Sequence, residues 1–409
     1  MSVKNLFFLL FIVALLFTNC TNAPKKAAIE NVGRKTIILA VDGGGIKGII
    51  PAIFLQAIEK ALARPSYQLF DLIGGTSTGG LISVALTSKN GSTNQPFTAN
   101  QIVQIYQNQG ASIFVSQDCH IETCAKYYSD DGSGNGIEPF LQGMVGASTT
   151  LSDSYQFIGG LSNARVKQMF TTSYAVNSTG DSITNPVQGR DYGPYLFNWF
   201  DAKVSSNNNY YAWEAARGTS AAPTYFPIAH VGGSQSPRSV AAERWVVDGG
   251  MMSNDPALWG ITEAFRTGIA TSLQDIIVIS LGTGLYPGDA GVDINDPRYE
   301  TELSNGNWSE MPWIMQELYD LEGNENNKGT LVSVILEAVQ TVTDSQLKGL
   351  QKSGLQYYRL EPTLNQSQSV MDNISPANIS SLMNTANGYL KTPEGATIFS
   401  KIVNILKSN

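Results

Sequence analysis

Gly74-Gly75-Thr76-Ser77-Thr78-Gly79-Gly80 lies between two apolar runs, Leu69-Phe70-Asp71-Leu72-Ile73 before it and Leu81-Ile82-Ser83-Val84-Ala85-Leu86 after it. The first run has the length of a buried strand and the second the spacing of a helix. A strand, a glycine-packed turn and a helix make a nucleophile elbow, and Gly75-Thr76-Ser77-Thr78-Gly79 fits G-x-S-x-G. The order has a physical reason. A serine at the tip of so sharp a turn is held strained with its hydroxyl exposed, and the flanking glycines remove side chains that would block the turn or a substrate. The amides that open the following helix face the place where negative charge would develop. An ordinary glycine-rich strand–helix turn carries the same letters, so the rest of the chain has to decide between the two readings.

Upstream, Thr36-Ile37-Ile38-Leu39-Ala40-Val41 is a continuous apolar run of the kind found in buried parallel strands. It leads into Asp42-Gly43-Gly44-Gly45-Ile46-Lys47-Gly48 and then a helix with apolar Ile50, Ile53, Phe54, Ala57, Ile58 and Ala61. Pro51 falls in the first turn of that helix, where its missing N–H costs little. Strand, turn and helix, repeated, predict an α/β fold with a central mostly parallel sheet flanked by helices. Downstream, the pattern predicts a helix over Ala99–Gln107 and strands at Met169–Val176, Tyr195–Phe200, Trp245–Val247 and Ile276–Leu281. A short helix is expected at Trp213–Arg217. From Met311 the chain reads as mostly amphipathic helix with one strand near Gln356–Leu360.

The chain has 409 residues, 42% hydrophobic and 15% charged, enough for a large globular core. A net charge of −8 argues against nucleic acid as a partner and against adsorption to anionic membranes by charge alone. Lys4 followed by the unbroken apolar run Leu6–Phe17 reads as an export signal, too short to span a bilayer comfortably. The expected organisation is a signal over 1–23, a polar linker over 24–34 and a single domain over 35–409, with the motifs in 35–284 and a mostly helical part in 285–409. Cys20 stands where a bacterial lipoprotein signal places its lipidated cysteine, although Asn19 occupies a position where a small residue is usual. Cleavage near Thr21 or Ala23 and an uncleaved anchor are the other readings. The expectation is an exported protein, secreted or periplasmic, with anchoring through Cys20 left open.

Cys119 and Cys124, in Cys119-His120-Ile121-Glu122-Thr123-Cys124, suit a local disulfide in an exported chain. A metal held by the two cysteines and His120 lacks a second ligand cluster, and none is expected. Asp131, Ser133, Asn135 and Gly136 have the offsets of a calcium loop, but Gln142 stands where the bidentate Glu belongs, so a surface loop is expected.

Glycine-rich turns follow three of the expected strands, after Val41, Ile73 and Val247. Open parallel sheets place ligands at the carboxyl ends of their strands. An acyl-transfer reading uses all three turns. Ser77 is the nucleophile, and Gly43, Gly44 and Gly45 present successive N–H groups suited to an oxyanion hole. The chain has 2 histidines. His120 lies between the cysteines and His230 in a Gly/Ser/Pro-rich loop, and neither reads as the base of a triad. Asp248 remains, between a buried strand and Gly249-Gly250. Burial raises a carboxylate's pKa, and direct contact with the hydroxyl makes it a usable base. A turn aspartate satisfying backbone amides is the plainer alternative. Gly43–Gly48 also fits G-x-G-x-x-G. However, no acidic residue ends the second strand to hold a ribose, Asp71 lies ahead of the turn, and Lys47 is followed by Gly48 rather than Ser or Thr.

These motifs together resemble those of the patatins, lipid acyl hydrolases first known as plant storage proteins, over nearly the whole mature chain from Ile37. The anion-hole motif of that family stands as Asp42-Gly43-Gly44-Gly45-Ile46-Lys47-Gly48, the elbow as Gly75–Gly79 and the dyad aspartate as Asp248-Gly249-Gly250. Thr219–Pro223, Asp255-Pro256-Ala257 and Ser280–Gly284 are similar to flanking family segments. Lys47 stands where many bacterial members carry Arg, as in the plant form. The resemblance implies a three-layer α/β/α patatin-like fold. It also implies a Ser77–Asp248 dyad without histidine, metal or cofactor, and an acyl-enzyme at Ser77. The substrates it implies are lipid esters in membranes or micelles, cleaved in the manner of a phospholipase A, galactolipase or acylglycerol esterase. The alternative is a non-catalytic lipid-binding or storage protein on the same fold.

Overall fold

β1 (Thr36–Val41) is buried on both faces, and the alternation of its side chains divides the molecule into layers. The computed structural model describes residues 34–91, 93–115, 134–178, 192–234, 237–287 and 331–409. The export segment with Cys20, the Cys119–Cys124 stretch, and Asp131 and Ser133 of the calcium-like loop lie outside the described residues.

The strands after β1 are β2 (Leu72–Thr76), β3 (Gln168–Ser178), β4 (Gly193–Asn198), β5 (Ala229–Val231), β6 (Arg244–Asp248), β7 (Ile276–Leu281) and β8 (Gln356–Leu360). The principal helices are α1 (Ile49–Leu62), α2 (Thr78–Thr87), α3 (Ala99–Asn108), α4 (Ile137–Val145), α5 (Leu151–Gly159), α6 (Ala212–Thr219), α7 (Ala257–Arg266), α8 (Leu331–Leu350), α9 (Pro376–Tyr389) and α10 (Pro393–Ser408). Ile37, Leu39 and Val41 of β1 pack into a core that includes α1 to α6, α9 and α10. Ile38 and Ala40 pack against α7 and α8 on the other face. Each buried Ile, Leu or Val side chain among these stabilises the fold by about 1.5–3 kcal/mol. The result is the expected α/β/α arrangement around a mostly parallel sheet.

The sheet order is β5-β6-β3-β2-β1-β7-β8, with β4 also paired to β3. β1, β2, β3, β7 and β8 run parallel. β4 and β6 run antiparallel to β3. β4 overlaps both β2 and β6 along β3, so β2 and β6 share the opposite edge, end to end. Thr76 of β2 pairs with Thr172, and Asp248 of β6 pairs with Ser173. The carboxyl ends of two strands thus meet head-on at neighbouring residues of a third. The glycine turn after Val247 and Asp248 does follow a carboxyl end, as expected, but β6 opposes the parallel strands instead of running with them.

Three expectations shift in detail. β2 begins at Leu72 because Asp71 turns to other work: its carboxylate accepts the Ile37 N–H at 2.8 Å and the Arg165 guanidinium at 2.7 and 3.0 Å. Gly74 and Gly75 accordingly fall inside the strand rather than in the turn. β4 ends at Asn198, whose side chain accepts the Asp201 N–H at 2.9 Å and caps a helical turn over Trp199–Val204. His230, expected in a loop, lies in the short strand β5, where its Nε2 meets Glu243 Oε1 at 2.7 Å and its ring stacks on Trp245.

Candidate active site

Ser77 connects β2 to α2 with φ 53° and ψ −124°, a conformation that non-glycine residues rarely adopt. The turn closes because backbone meets backbone. A Cβ on Gly75 would lie 2.0 Å from the Gly79 carbonyl oxygen, and one on Gly79 would lie 2.0 Å from the Val41 carbonyl oxygen. The Ser77 N–H donates to Thr219 Oγ1 of α6 at 3.0 Å, which fixes the elbow from the side. The Thr76 hydroxyl, 2.6 Å from Thr172 Oγ1, donates to the Ser253 carbonyl at 2.7 Å. Ser77 is the N-cap of α2, yet its side chain makes no capping hydrogen bond. The hydroxyl is therefore left for another partner.

Asp248 lies beside it: both residues line one cavity, and the Ser77 hydroxyl lowers the pKa of the Asp248 carboxyl group. Asp248 Oδ1 also accepts the Gly250 N–H at 2.7 Å, so the plainer role of a turn aspartate is fulfilled as well. Only 4% of Asp248 is exposed. Burial pushes its pKa up to about 7, against the hydrogen bonds from Ser77 and Gly250 and the charge of Arg217. His230 does not line the cavity around these residues.

The glycine loop lies alongside. Asp42 is buried and leads into Gly43, Gly44 and Gly45, all three of which line the same cavity as Ser77 and Asp248. The Gly43 N–H, expected to face a substrate, instead donates to the Asn254 carbonyl at 3.2 Å, which corrects its role. The Gly44 and Gly45 N–H groups have no acceptor among the described residues. Gly45 has φ +59°, and a Cβ there would lie 2.2 Å from the Met371 carbonyl oxygen, so only glycine fits. Gly48 and Gly249 pack tightly against the side chains of Thr78 and Thr172. Lys47 is buried and also lines the cavity.

The cavity measures about 200 Å³. Leu81, Ile113, Phe114, Ile137, Tyr225 and Phe226 supply apolar wall, and Leu285, Tyr286, Leu336, Val370 and Met371 supply more from the C-terminal part. Among the described residues there is no group of three His, Cys, Asp or Glu placed to hold a metal ion.

Several supporting residues carry no motif. Thr283 Oγ1 donates to the Gly43 carbonyl at 2.7 Å. Asn254 Nδ2 donates to Gln340 Oε1 at 2.7 Å, and Gln340 Nε2 donates to Glu361 Oε2 at 3.2 Å. Arg359 of β8 forms ion pairs with Asp42 at 2.5 Å, with Asp255 at 3.0 Å and with Glu361. Burial raises the pKa of all three carboxyl groups while the guanidinium pulls the other way. Thr219, Asp255 and Thr283 fall in segments already singled out in the sequence. Asn254, Gln340 and Arg359 were not signalled there.

Fold and site together define a three-layer α/β/α protein with a serine elbow facing an aspartate. A family model described as patatin-like phospholipase matches residues 39–258. Patatin group D-2 of Solanum tuberosum is 27% identical over 403 residues, spanning 94% of this chain and 90% of its own. Patatin-08 of the same species is 26% identical over 403 residues, with the same 94% and 90% coverage. Patatin-like protein 2 of Arabidopsis thaliana is 25% identical over 383 residues, spanning 88% of this chain and 84% of its own. The chain belongs to the patatin-like phospholipase family, and with it to the lipid acyl hydrolases in general.

Proposed function

We propose that the protein is a carboxylic ester hydrolase that cleaves fatty-acyl esters through a Ser77–Asp248 dyad and an acyl-enzyme on Ser77. One observation carries this reading: a strained serine hydroxyl, not used as a helix cap, lies in reach of a buried carboxyl group whose pKa is pushed up to about 7. A base with that pKa is matched to proton transfer near neutral pH.

Asp248 accepts the Ser77 Oγ proton as the oxygen attacks the ester carbonyl. The tetrahedral oxyanion is received by the Gly44 and Gly45 amides, with the first turn of α2 adding its dipole. Collapse expels the alcohol portion, a lysolipid or glycerol moiety, which takes the proton from Asp248. Water then gives a proton to Asp248 and attacks the acyl carbon, and collapse releases the fatty acid as Asp248 returns that proton to Ser77 Oγ. The apolar cavity wall holds the acyl chain. The N-terminal apolar run supports export, which would bring the enzyme to membrane lipids or lipid micelles outside the cytoplasm.

A fluorophosphonate probe and a fatty-acyl ester assay test the reading. Wild-type protein should label and turn over, and Ser77→Ala should do neither while remaining folded. Asp248→Asn should lose about 10²–10⁴-fold in kcat/KM, the contribution of a general base. Full activity in Asp248→Asn would remove the dyad. Lipid binding without labelling or turnover in the wild type would make this a binding protein instead.

A further inference from the structure

The glycine loop raises a problem that its own sequence does not solve. Gly43, Gly44 and Gly45 have no side chains to anchor them, and glycine is the residue with the most backbone freedom to lose. Amides that receive an oxyanion work only when held in place before the reaction. What holds them must come from neighbouring side chains.

Arg359 is central to that support. It does not line the cavity. It sits one layer behind, at the end of β8, with its side chain 11% exposed. Its guanidinium touches Asp42 with both terminal nitrogens, at 3.3 and 2.5 Å. Asp42 is the residue immediately before the glycine run. The same group donates to Asp255 at 3.0 Å. Asp255 follows Asn254, whose carbonyl takes the Gly43 N–H at 3.2 Å, and both lie on the loop that leaves Asp248. A third contact reaches Glu361, which accepts the Gly284 N–H at 2.5 Å beneath Thr283. One planar donor fork therefore joins the loop carrying the oxyanion amides, the loop carrying the base, and the turn that holds the Gly43 carbonyl. A lysine would present a single point charge on a flexible stem and could not span these partners in fixed geometry.

We propose that Arg359 is a positioning residue for catalysis, setting the spacing between the Gly44–Gly45 amides and the Ser77–Asp248 pair. This rests on the Ser–Asp reading above. Arg359 lies beyond residues 39–258, so the elbow, anion-hole and aspartate motifs do not contain it. A misplacement near 1 Å costs about 10²-fold in rate without weakening substrate binding.

The experiment compares wild type, Arg359→Lys and Asp42→Asn on a monomeric short-chain ester, and measures inhibition by an alkyl trifluoromethyl ketone. That ketone adds Ser77 Oγ to its carbonyl carbon, passes the hydroxyl proton to Asp248 and leaves an oxyanion facing the glycine amides. Thermal unfolding confirms that each variant is folded at the assay temperature. Arg359→Lys should lower kcat by about 10-fold to 10²-fold, leave KM within about twofold, and weaken the ketone by the same factor as kcat/KM. Asp42→Asn should shift the same parameters in the same direction, and it carries the test if Arg359→Lys does not fold. The double variant should lose less than the product of the two single losses. A folded Arg359→Lys with wild-type kcat and ketone affinity overturns the proposal, as does a rise in KM at constant kcat. A wild-type protein that neither labels with fluorophosphonate nor turns over overturns the Ser–Asp reading, and this proposal with it.

Discussion

At the scale of single residues, the site puts function in opposition to stability. Ser77 occupies a strained backbone conformation, and Asp248 is a carboxyl group held out of water. Burial pushes the Asp248 pKa up from 3.8 to about 7. Its folded value lies above its unfolded one. Its contribution to stability is therefore fully present below the unfolded value and is lost as pH rises through the folded value. Asparagine has no charge to desolvate. Asp248→Asn should match wild type in Tm near pH 4, gain on it steadily as pH rises from 4 to 7, and level off above 7, with a gain on the order of 4 kcal/mol. Calorimetry from pH 4 to pH 9 checks this, and a pH-independent difference would show that the carboxyl group is not buried as described. On the mechanism proposed above, kcat/KM of the wild type should rise through the same window, because only the ionised carboxylate accepts a proton.

At the scale of elements, the two ends of β2 do different work. Ser77 follows its carboxyl end, and Asp71 precedes its amino end. There Asp71 and Arg165, 3% and 4% exposed, tie the starts of β1, β2 and β3 together. Asp71→Ala leaves a buried guanidinium without that counter-ion and should cost about 3–5 kcal/mol in denaturant unfolding. The rate per folded molecule should stay at the wild-type level, since β2 separates the pair from Ser77. A selective loss of kcat would mean that the far end of the strand reaches the site.

The same scale shows what could be read in advance. The elbow, the glycine loop and Asp248-Gly249-Gly250 are local signals, because strand, tight turn and buried carboxylate each leave marks within a few residues. The direction of β6 left no such mark, as its apolar residues would look the same running either way. Nor did the loss of Gly43 as a donor, which depends on a carbonyl at Asn254, or the assembly around Arg359, whose partners lie at 42, 255 and 361. Contacts made across the fold are invisible to spacing and periodicity. Asp71 shows the limit from the other side: an acid amid apolar residues reads as strand interior, yet it precedes the strand because its carboxylate binds Ile37 N–H and Arg165, a partner distant in sequence.

At the scale of the whole molecule, charge governs the approach to a lipid surface. The formal net charge is −8. Filling the cavity from a lipid surface, as proposed above, works against that charge whenever the surface is anionic. On vesicles of a zwitterionic phospholipid, adding anionic lipid should slow hydrolysis several-fold at about 0.01 M salt. The penalty should shrink at about 1 M salt, where the screening length falls to about 3 Å. Vesicle assays at the two salt concentrations decide the matter, and rates indifferent to lipid charge at low salt would show that the contact face does not feel the overall charge.

The end-to-end meeting of β2 and β6 on one edge of β3 has a consequence for how such a chain can vary over time. Ser77 and Asp248 are located by two adjacent rungs, Thr172 and Ser173, much as two pointers are read off one ruler. Insertions or deletions in the connections between strands leave the ruler untouched. One residue added between those rungs shifts the pointers by about 3.3 Å, beyond the reach of a hydrogen bond. Descendants of this sequence are freer to lengthen in loops remote from the site than in the middle of β3, a strand that carries neither Ser77 nor Asp248.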